Sequence, residues 1–183
     1  GEHSLTPGAI RPFAKKFKEL VIVHFDAHAD LRQEYNGDIN SHACAIKRCL
    51  DHKNIKVVSL GIRNLSEEEM KFYKKNKKKI SIFWAKDKAK WNLKSLSNLI
   101  YRKNVYITFD VDGFDSSIMP ATGTPEPGGL LWDETLNIIK IAAKNSKIVG
   151  ADINELSPIK GFNSYNFLVA KLAYKILSYK FIY

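Results

Sequence analysis

The stretch LVIVHF, residues 20–25, is followed directly by DAHAD, residues 26–30. The first of these is rich in β-branched and aliphatic residues and therefore predicts a buried β-strand. A second pair of this kind comes later, where the strand-like run Val105–Phe109 leads into DVD, residues 110–112. Both runs bring polar side chains to the carboxyl end of a predicted parallel strand, and open α/β sheets bind ligands at that edge.

Strand and helix patterns alternate along the chain, which predicts an α/β fold of three αβα layers with a mainly parallel sheet. Ser41 is expected to cap the second helix, and Ser66 with Glu69 matches a capping box before the third. With 183 residues and no internal repeat or linker, residues 1–183 are expected to form a single domain. The expected strands are Leu20–Phe25, Lys56–Leu60, Ile80–Trp84, Val105–Phe109 and Lys147–Ile153, and the expected helices are Pro7–Glu19, Ser41–Lys53, one from Ser66, Asn92–Arg102, Asp133–Lys144 and Phe162–Ser178.

The spacing of the polar residues after the two strands predicts a metal site. Asp26, His28 and Asp30 alternate along the chain and so can share one face, as can Asp110 and Asp112. Four carboxylates gathered at one edge repel one another unless cations lie between them. Carboxylate oxygens with imidazole suit Mn²⁺, Mg²⁺, Fe²⁺ or Co²⁺, and the number of ligands indicates two ions.

Six motifs together resemble the ureohydrolases, the manganese-dependent arginase and agmatinase superfamily. They are, in chain order, GEHS (1–4), DAHAD (26–30), SHAC (41–44), DVDGFD (110–115), GTP with GGL (123–125 and 128–130) and DINE (152–155). An isolated Asp-x-Asp pair is a weak signal, but the whole set in this order spans nearly the entire chain and is specific. Within the superfamily, SHAC and GIR (61–63) are most similar to agmatinases.

The resemblance implies an arginase-like fold and a binuclear manganese site with two Mn²⁺ ions per subunit. Asp26 and Asp110 are expected to bridge the two ions. The implied ligands are His3, Asp26, Asp30 and Asp110 for one ion and Asp26, His28, Asp110 and Asp112 for the other.

The resemblance also implies a small cationic guanidino substrate, with agmatine hydrolysed to putrescine and urea in polyamine biosynthesis. Asp30 is expected to relay a proton to the leaving amine, and His42 to act as a proton shuttle or substrate contact. Glu155 is expected to accept hydrogen bonds from the guanidinium group. The family further implies a homo-oligomer, either a trimer or a hexamer.

Three polar residues near these motifs are interpreted as supporting rather than catalytic. His24 is expected to lie on the strand face opposite Phe25 and the neighbours of Asp26, and to be a structural histidine with satisfied hydrogen bonds. Asp115 and Asp152 are expected to hydrogen-bond loops or to orient ligands.

Two alternatives to agmatine hydrolysis remain open. Arginine is the less favoured substrate, because Arg32 and Glu34 follow Asp30. In this loop, arginases resemble one another in offering small polar groups to the α-amino acid end of arginine. Aminopropylagmatine and guanidinobutyrate stay open as substrates. The first motif looks like the second half of GGEHS, so the chain is expected to lack the amino-terminal third of such a protein. A metal-poor, catalytically incompetent fragment is therefore the second hypothesis, because His3 lies next to a chain end and chain ends fray.

Charge and composition bear on partners and compartment. The net charge of +10 comes in part from six lysines within residues 71–79, which suits a solvated helix face better than a nucleic-acid site, because no stacking aromatic pattern accompanies them. No apolar run reaches the ~18 residues of a membrane span, so no membrane partner is expected. Cys44 and Cys49 lack a Cys-x-x-Cys spacing, and a reducing cytoplasm is the expected location.

Overall fold

A parallel sheet of five strands forms the centre of the molecule, which a computed structural model describes over all residues 1–183. The strands lie in the order β3-β2-β1-β4-β5, and every neighbouring pair is parallel. Their bounds are β1 Leu20–Phe25, β2 Ile55–Ile62, β3 Ile80–Trp84, β4 Asn104–Asp110 and β5 Lys147–Asn154.

Six α-helices cover the two faces of the sheet, which confirms the predicted three-layer αβα architecture. The first three pack with Ile22 and Tyr106 on one face, and the last three pack with Val23 and Phe109 on the other. Because β1 is buried on both faces, its sequence is a continuous apolar run apart from His24. The helices are α1 Thr6–Lys16, α2 Ala45–Cys49, α3 Glu67–Lys75, α4 Leu93–Ile100, α5 Trp132–Asn145 and α6 Asn163–Ile182, with short 3₁₀ turns at His3–Leu5, His42–Cys44, Ala85–Lys90 and Val111–Gly113.

The order of the strands reverses between β1 and β4. The chain proceeds from β1 outward through β2 to β3, and then returns to the other side of β1 with β4 and β5. Phe25 and Phe109 are register partners on β1 and β4, so Asp26 and Asp110 leave the sheet side by side. Such a switch point is where doubly wound α/β proteins bind ligands.

A row of four polar residues crosses the sheet one step below this edge, and we refer to it as the polar row. It consists of Ser59 on β2, His24 on β1, Thr108 on β4 and Asp152 on β5, which are register partners in that order. Ser59, His24 and Thr108 are buried. The row lies on the face covered by α1 and α2, since Tyr106, two residues before Thr108, packs in that core.

The second helix is shorter than the sequence predicts. Residues 41–53 were expected to be helical, but only Ala45–Cys49 is α-helical, and the 3₁₀ turn His42–Cys44 precedes it. The cap expected at Ser41 is also wrong, because its side chain makes no capping hydrogen bond. The backbone explains the difference, since the carbonyl of Ala43 accepts from the amide of Arg32, a loop residue, instead of from within a helix.

None of the helices combines the length and the apolar character that a membrane crossing requires.

Candidate metal centre and substrate cavity

The polar residues that follow β1 and β4 meet His3 at the switch point. His3 Nδ1 lies 3.1 Å from Asp26 Oδ2 and 3.0 Å from Asp30 Oδ2. It also lies 3.5 Å from Asp110 Oδ2. Nδ1 is buried, and none of these contacts has the geometry of a hydrogen bond. A buried nitrogen surrounded by three carboxylates at about 3 Å fits the ligand shell of a divalent ion, whose ligands each lie about 2.1 Å from the metal.

A second group of donors adjoins the first and shares Asp26 with it. His28 Nδ1 lies 3.0 Å from Asp112 Oδ2 and 3.5 Å from Asp26 Oδ1. Each of these three residues offers one ligand atom, and the three atoms all lie within 4.8 Å of one another. The six residues singled out as ligands from the sequence therefore form one cluster, with Asp26 in contact with both His3 and His28.

Backbone amides orient the carboxylates of this cluster. Asp26 Oδ1 accepts from the amide of His28 at 2.6 Å, and Asp110 Oδ1 accepts from the amide of Asp112 at 3.0 Å. Asp112 Oδ1 in turn accepts from the amide of Ala27, which follows β1, at 3.0 Å. A carboxylate oxygen has two lone pairs, so each of these oxygens keeps one that can face an ion.

His24 contacts the cluster directly, through Asp26. It is fully buried and both ring nitrogens are paired, Nδ1 with Ser59 Oγ at 3.0 Å and Nε2 with Asp26 Oδ2 at 2.7 Å. The prediction of a structural histidine with satisfied hydrogen bonds is therefore confirmed. The i, i+2 spacing of His24 and Asp26 was the signal in the sequence, because such residues share a face of a strand.

Protonation in this cluster is strongly perturbed. Burial, reinforced by the charge of Asp26, raises the pKa of Asp30 to about 7. Burial and then the charges of Asp26 and Asp112 raise the pKa of Asp110 well above its usual range. For His28, burial opposes the charged form, but hydrogen bonds to Asp112 and Asp26 outweigh it and raise the pKa to about 11. Burial together with neighbouring carboxylates thus raises the pKa of Asp30 and Asp110. At Asp26, burial is outweighed by the nearby His24, which holds the pKa of that carboxylate well below its usual range. Carboxylates crowded in this way are typical of a site that binds cations.

A cavity of about 430 Å³ opens onto the cluster. Asp30, His42 and Glu155, the three residues predicted to be catalytic, all line it. Glu155 Oε1 accepts from the backbone amide of His3 at 2.5 Å, and the exposed His42 ring lies edge-on to Tyr35 with 5.8 Å between centroids. The structure therefore brings the predicted catalytic residues to one cavity beside the predicted ligands.

Two of these lining residues adopt a left-handed backbone. Asp30 has φ of 52° and Glu155 has φ of 65°, a region in which residues other than glycine are uncommon. Such conformations persist where the surrounding structure requires a side chain in one particular place. In both cases the left-handed turn places a carboxylate at the cavity wall.

Asp115 confirms the supporting role expected from the sequence. Its Oδ2 accepts from the amides of Gly128 and Gly129 at 2.6 Å and 2.9 Å, and its Oδ1 accepts from the amide of Ser117 at 3.0 Å. These bonds close the long loop of residues 113–129 beside the cluster.

Arg63 is a supporting residue whose role the sequence did not reveal. Its Nη1 donates to the carbonyl of Gly61 at 3.0 Å, and its Nη2 donates to the carbonyls of Asp112 and Glu126, both at 2.7 Å. It thereby ties the end of β2 to the loop after β4. No spacing rule marks such a residue, because apart from Gly61 its partners are backbone atoms distant in sequence.

Comparison with known proteins agrees with this geometry. The sequence profile of the Arginase family matches residues 1–178. The chain is 36% identical over 183 residues to an N(1)-aminopropylagmatine ureohydrolase from Synechocystis, covering 98% of this chain and 58% of the relative. It is 35% identical to an agmatinase from Pyrococcus horikoshii, covering 97% of this chain and 60% of that protein.

A solved structure supports the same relationship. The agmatine ureohydrolase of Thermoplasma volcanium superposes with a TM-score of 0.83 at 34% identity, covering 98% of this chain and 60% of that one. The chain thus spans about three fifths of the length of these relatives. Because the family profile covers nearly all of its residues, the chain belongs to the Arginase family.

Proposed function

We propose that this chain carries the active site of a ureohydrolase that splits agmatine into putrescine and urea, a step of polyamine biosynthesis. The observation that carries the proposal is the cluster of four buried aspartates, buried His3 and half-buried His28 beside an open cavity. Relatives named agmatinase, matched over nearly the whole chain, support the choice of substrate.

We assign two Mn²⁺ ions to the cluster, and Asp26 and Asp110 would contribute to holding both of them. The unpartnered Nδ1 of His3 and the proton affinity of Asp30 and Asp110 support this assignment. When bound, the ions would lower the pKa of water towards neutrality and so supply a nucleophile at physiological pH. The residues that would hold them are His3, Asp26, Asp30 and Asp110 for one ion and Asp26, His28, Asp110 and Asp112 for the other.

Glu155 is assigned to the guanidinium group. One of its oxygens is held by the amide of His3, which fixes the carboxylate at the cavity wall and leaves Oε2 free of hydrogen bonds within the chain. A fixed carboxylate matches a planar guanidinium through charge-assisted hydrogen bonds. Asp30 is assigned to proton transfer to the leaving amine, and His42, exposed at the cavity, to proton exchange with solvent or to substrate contact.

The charge of the cavity favours a substrate with a cationic tail. Glu2 and Glu69 line it in addition to Glu155 and the aspartates, whereas Arg32 is its one lysine or arginine. Arg32 Nε lies 3.7 Å from Glu69 Oε2, which offsets part of its charge. Aminopropylagmatine, with one more amine than agmatine, is the second candidate substrate, because the Synechocystis relative carries that activity in its name.

We further propose a homo-oligomer, a trimer or hexamer, that acts in the cytoplasm on this small guanidino substrate without binding nucleic acid or membrane. Large apolar side chains exposed on α6, among them Phe167 at 69% and Phe181 at 77%, support contact with a second copy. The two cysteines, Cys44 and Cys49, are unpaired and buried, which suits a reducing compartment. Sedimentation should give three or six times the 20.8 kDa chain mass.

The decisive experiment measures urea released from agmatine, aminopropylagmatine and arginine after loading with Mn²⁺. We expect the highest kcat/KM with agmatine, loss of urea release on chelation, and recovery when Mn²⁺ is added back. A higher kcat/KM with aminopropylagmatine would change the proposed substrate and leave the proposed hydrolysis unchanged. No urea from any of the three, with Mn²⁺ bound, would refute the proposed hydrolysis.

Asp110→Asn tests whether Asp110 holds the ions, and Asp115→Asn is its matched control. Removing one charge from a buried position assigned to both ions should abolish binding of at least one ion and reduce urea release by more than a hundredfold, in line with metal-ligand roles. Asp115→Asn makes the same exchange five residues along, at a carboxylate that holds only loop amides, and should keep the ion stoichiometry. Equal ion binding in both variants would remove Asp110 from the site.

Glu155→Gln tests recognition of the guanidinium group. The amide keeps the size of the side chain but loses the charge, so the substrate should bind about 10- to 100-fold more weakly while ion stoichiometry is unchanged. Steady-state kinetics and a Mn²⁺ titration of the same preparation separate the two effects. Unchanged kinetic constants would refute the assigned role.

A further inference from the structure

His3 differs from the other residues of the cluster in where it comes from. The other five lie at or just beyond the carboxyl ends of β1 and β4, whereas His3 belongs to the 3₁₀ turn before α1. We infer that Thr108 and Asp152 of the polar row are positioning residues that aim His3 Nδ1 at an ion. The inference rests on the proposed metal site and adds two residues that act through His3.

Hydrogen bonds connect His3 to Thr108 and Thr108 to Asp152, and we refer to these three residues as the path. The donors available fix the direction of each hydrogen bond along it. His3 Nε2 lies 2.8 Å from Thr108 Oγ1, and Thr108 Oγ1 donates to Asp152 Oδ1 at 2.6 Å. A hydroxyl has one hydrogen and a carboxylate only accepts, so the hydrogen of Thr108 is committed to Asp152. Thr108 must then accept from His3, which places the ring hydrogen on Nε2 and leaves the lone pair of the neutral ring on Nδ1.

Asp152 is held in place independently of Thr108. Its Oδ2 accepts from the hydroxyl of Tyr106 at 2.9 Å and from that of Thr6 at 3.1 Å, and its Oδ1 accepts from Asn154 Nδ2 at 2.7 Å. Thr108 and Asp152 are also register partners across β4 and β5. The sheet itself therefore sets the height and direction of the acceptor that His3 meets.

Because His3 is buried, Thr108 is the only hydrogen-bond partner of its Nε2. His3 and Thr108 are both fully buried, so water does not compete for Nε2. Nδ1 faces Asp26, Asp30 and Asp110. A histidine that donates its other ring N–H to a fixed acceptor is the usual arrangement behind a metal ligand.

Thr108→Val is the primary test, because it replaces the hydroxyl by a methyl group of similar size. The ring then loses its acceptor, and the ion assigned to His3 should bind about 10- to 100-fold more weakly, while the ion at His28 is little affected. Mn²⁺ titration calorimetry of the full chain, followed by electron spin resonance of the bound ions, measures each affinity. Thr108→Ser restores the hydroxyl and should restore the affinity.

Tyr106→Phe is the matched control. It removes one of the two hydroxyls that donate to Asp152 Oδ2, but Thr6 and Asn154 still hold that carboxylate. The bond between Thr108 and Asp152 is kept, so both ions should bind as in the unsubstituted chain. Asp152→Asn is a second variant, because the amide can donate towards Thr108 and reverse the direction of the path. It should weaken the same ion as Thr108→Val, and circular dichroism of each variant verifies folding.

The outcomes distinguish this inference from the function on which it rests. Selective weakening of one ion in Thr108→Val and Asp152→Asn, with recovery in Thr108→Ser, supports it. Unchanged affinities, or equal weakening of both ions in Tyr106→Phe and Thr108→Val, overturn it and leave the proposed function standing. An unsubstituted chain that binds no divalent ion overturns both.

Discussion

Asp30 couples ion binding to pH at the scale of a single residue. Burial and the charge of Asp26 raise its pKa to about 7, and the pKa of Asp110 is also raised, so protons occupy the ion-free cluster at acidic pH. Ions bind the deprotonated carboxylates, and their affinity should therefore rise as the pH rises through about 7. Calorimetry in buffers of different ionisation enthalpy should detect proton release on Mn²⁺ binding, and an affinity independent of pH would contradict the prediction.

Asp115 should show the opposite kind of linkage, between pH and folding stability. Hydrogen bonds from Ser117, followed by those from the amides of Gly128 and Gly129, lower its pKa to about 2. Since the unfolded value is about 4, the ionised carboxylate stabilises the fold above that pH, and the contribution is lost as the pH falls through about 2.

The measurement is the free energy of unfolding of Asp115→Asn and of the unsubstituted chain as a function of pH. At neutral pH the variant should be less stable by about 1 kcal/mol, a discounted value because the carboxylate is partly exposed. The difference should shrink towards pH 2. A difference that stays constant across this range would show that the charge of Asp115 is not responsible.

At the scale of elements, the start of α3 has a full capping box that also supports the candidate site. Ser66 Oγ accepts from the amide of Glu69, and Glu69 Oε2 accepts from the amide of Ser66. Glu69 Oε1 additionally accepts from the amide of Leu31 at 3.0 Å, just after the DAHAD motif. One buried carboxylate therefore joins the cap of a helix to the loop that carries the cluster.

Ser66→Ala should lower the free energy of unfolding by about 1 kcal/mol, because the amide of Glu69 loses its acceptor. Urea unfolding of the variant beside the unsubstituted chain measures the change. Ser41→Ala is the control, since Ser41 precedes a helical turn without capping it, and its effect should stay within about 0.5 kcal/mol. Equal losses in the two variants would contradict the cap assignment.

Strands were predictable from the sequence to a greater degree than helix ends. β1 and β3 have the predicted bounds, because both are runs of mainly aliphatic and aromatic residues that begin directly after a charged residue, Glu19 or Lys79. The second helix was overestimated, because its pattern is helical but the amide of Lys47 donates to the carbonyl of Asp30. A hydrogen bond between distant segments leaves no local pattern.

At the scale of the whole molecule, the site shows the same difference between features that local sequence patterns predict and features that depend on distant segments. Alternating residues such as Asp26 and His28 could be predicted as neighbours, because their spacing alone places them on one face of a strand. The polar row could not be predicted, because which residue of β4 lies beside which residue of β5 depends on register. That register includes an irregularity between Val105 and Tyr106 that the sequence does not announce.

The two cores should unfold together, as expected of one domain. Successive residues of β1, such as Ile22 and Val23, belong to opposite cores, so neither core can dissolve without disrupting the strand that both use. Trp84 packs on one side of the sheet and Trp132 on the other. Tryptophan fluorescence and far-ultraviolet circular dichroism should therefore give coincident unfolding curves. Two separated transitions would contradict a single domain over residues 1–183.

The left-handed conformations of Asp30 and Glu155 mean that substitutions which stabilise the fold at these positions would remove carboxylates from the cavity. Glycine adopts φ near +50° to +65° without the steric cost of a side chain, and asparagine adopts it more readily than most residues. A library of variants enriched only for resistance to heat or protease should therefore drift towards glycine or asparagine at these two positions. Selection for durability alone would erase the cavity's chemistry there while the fold survives.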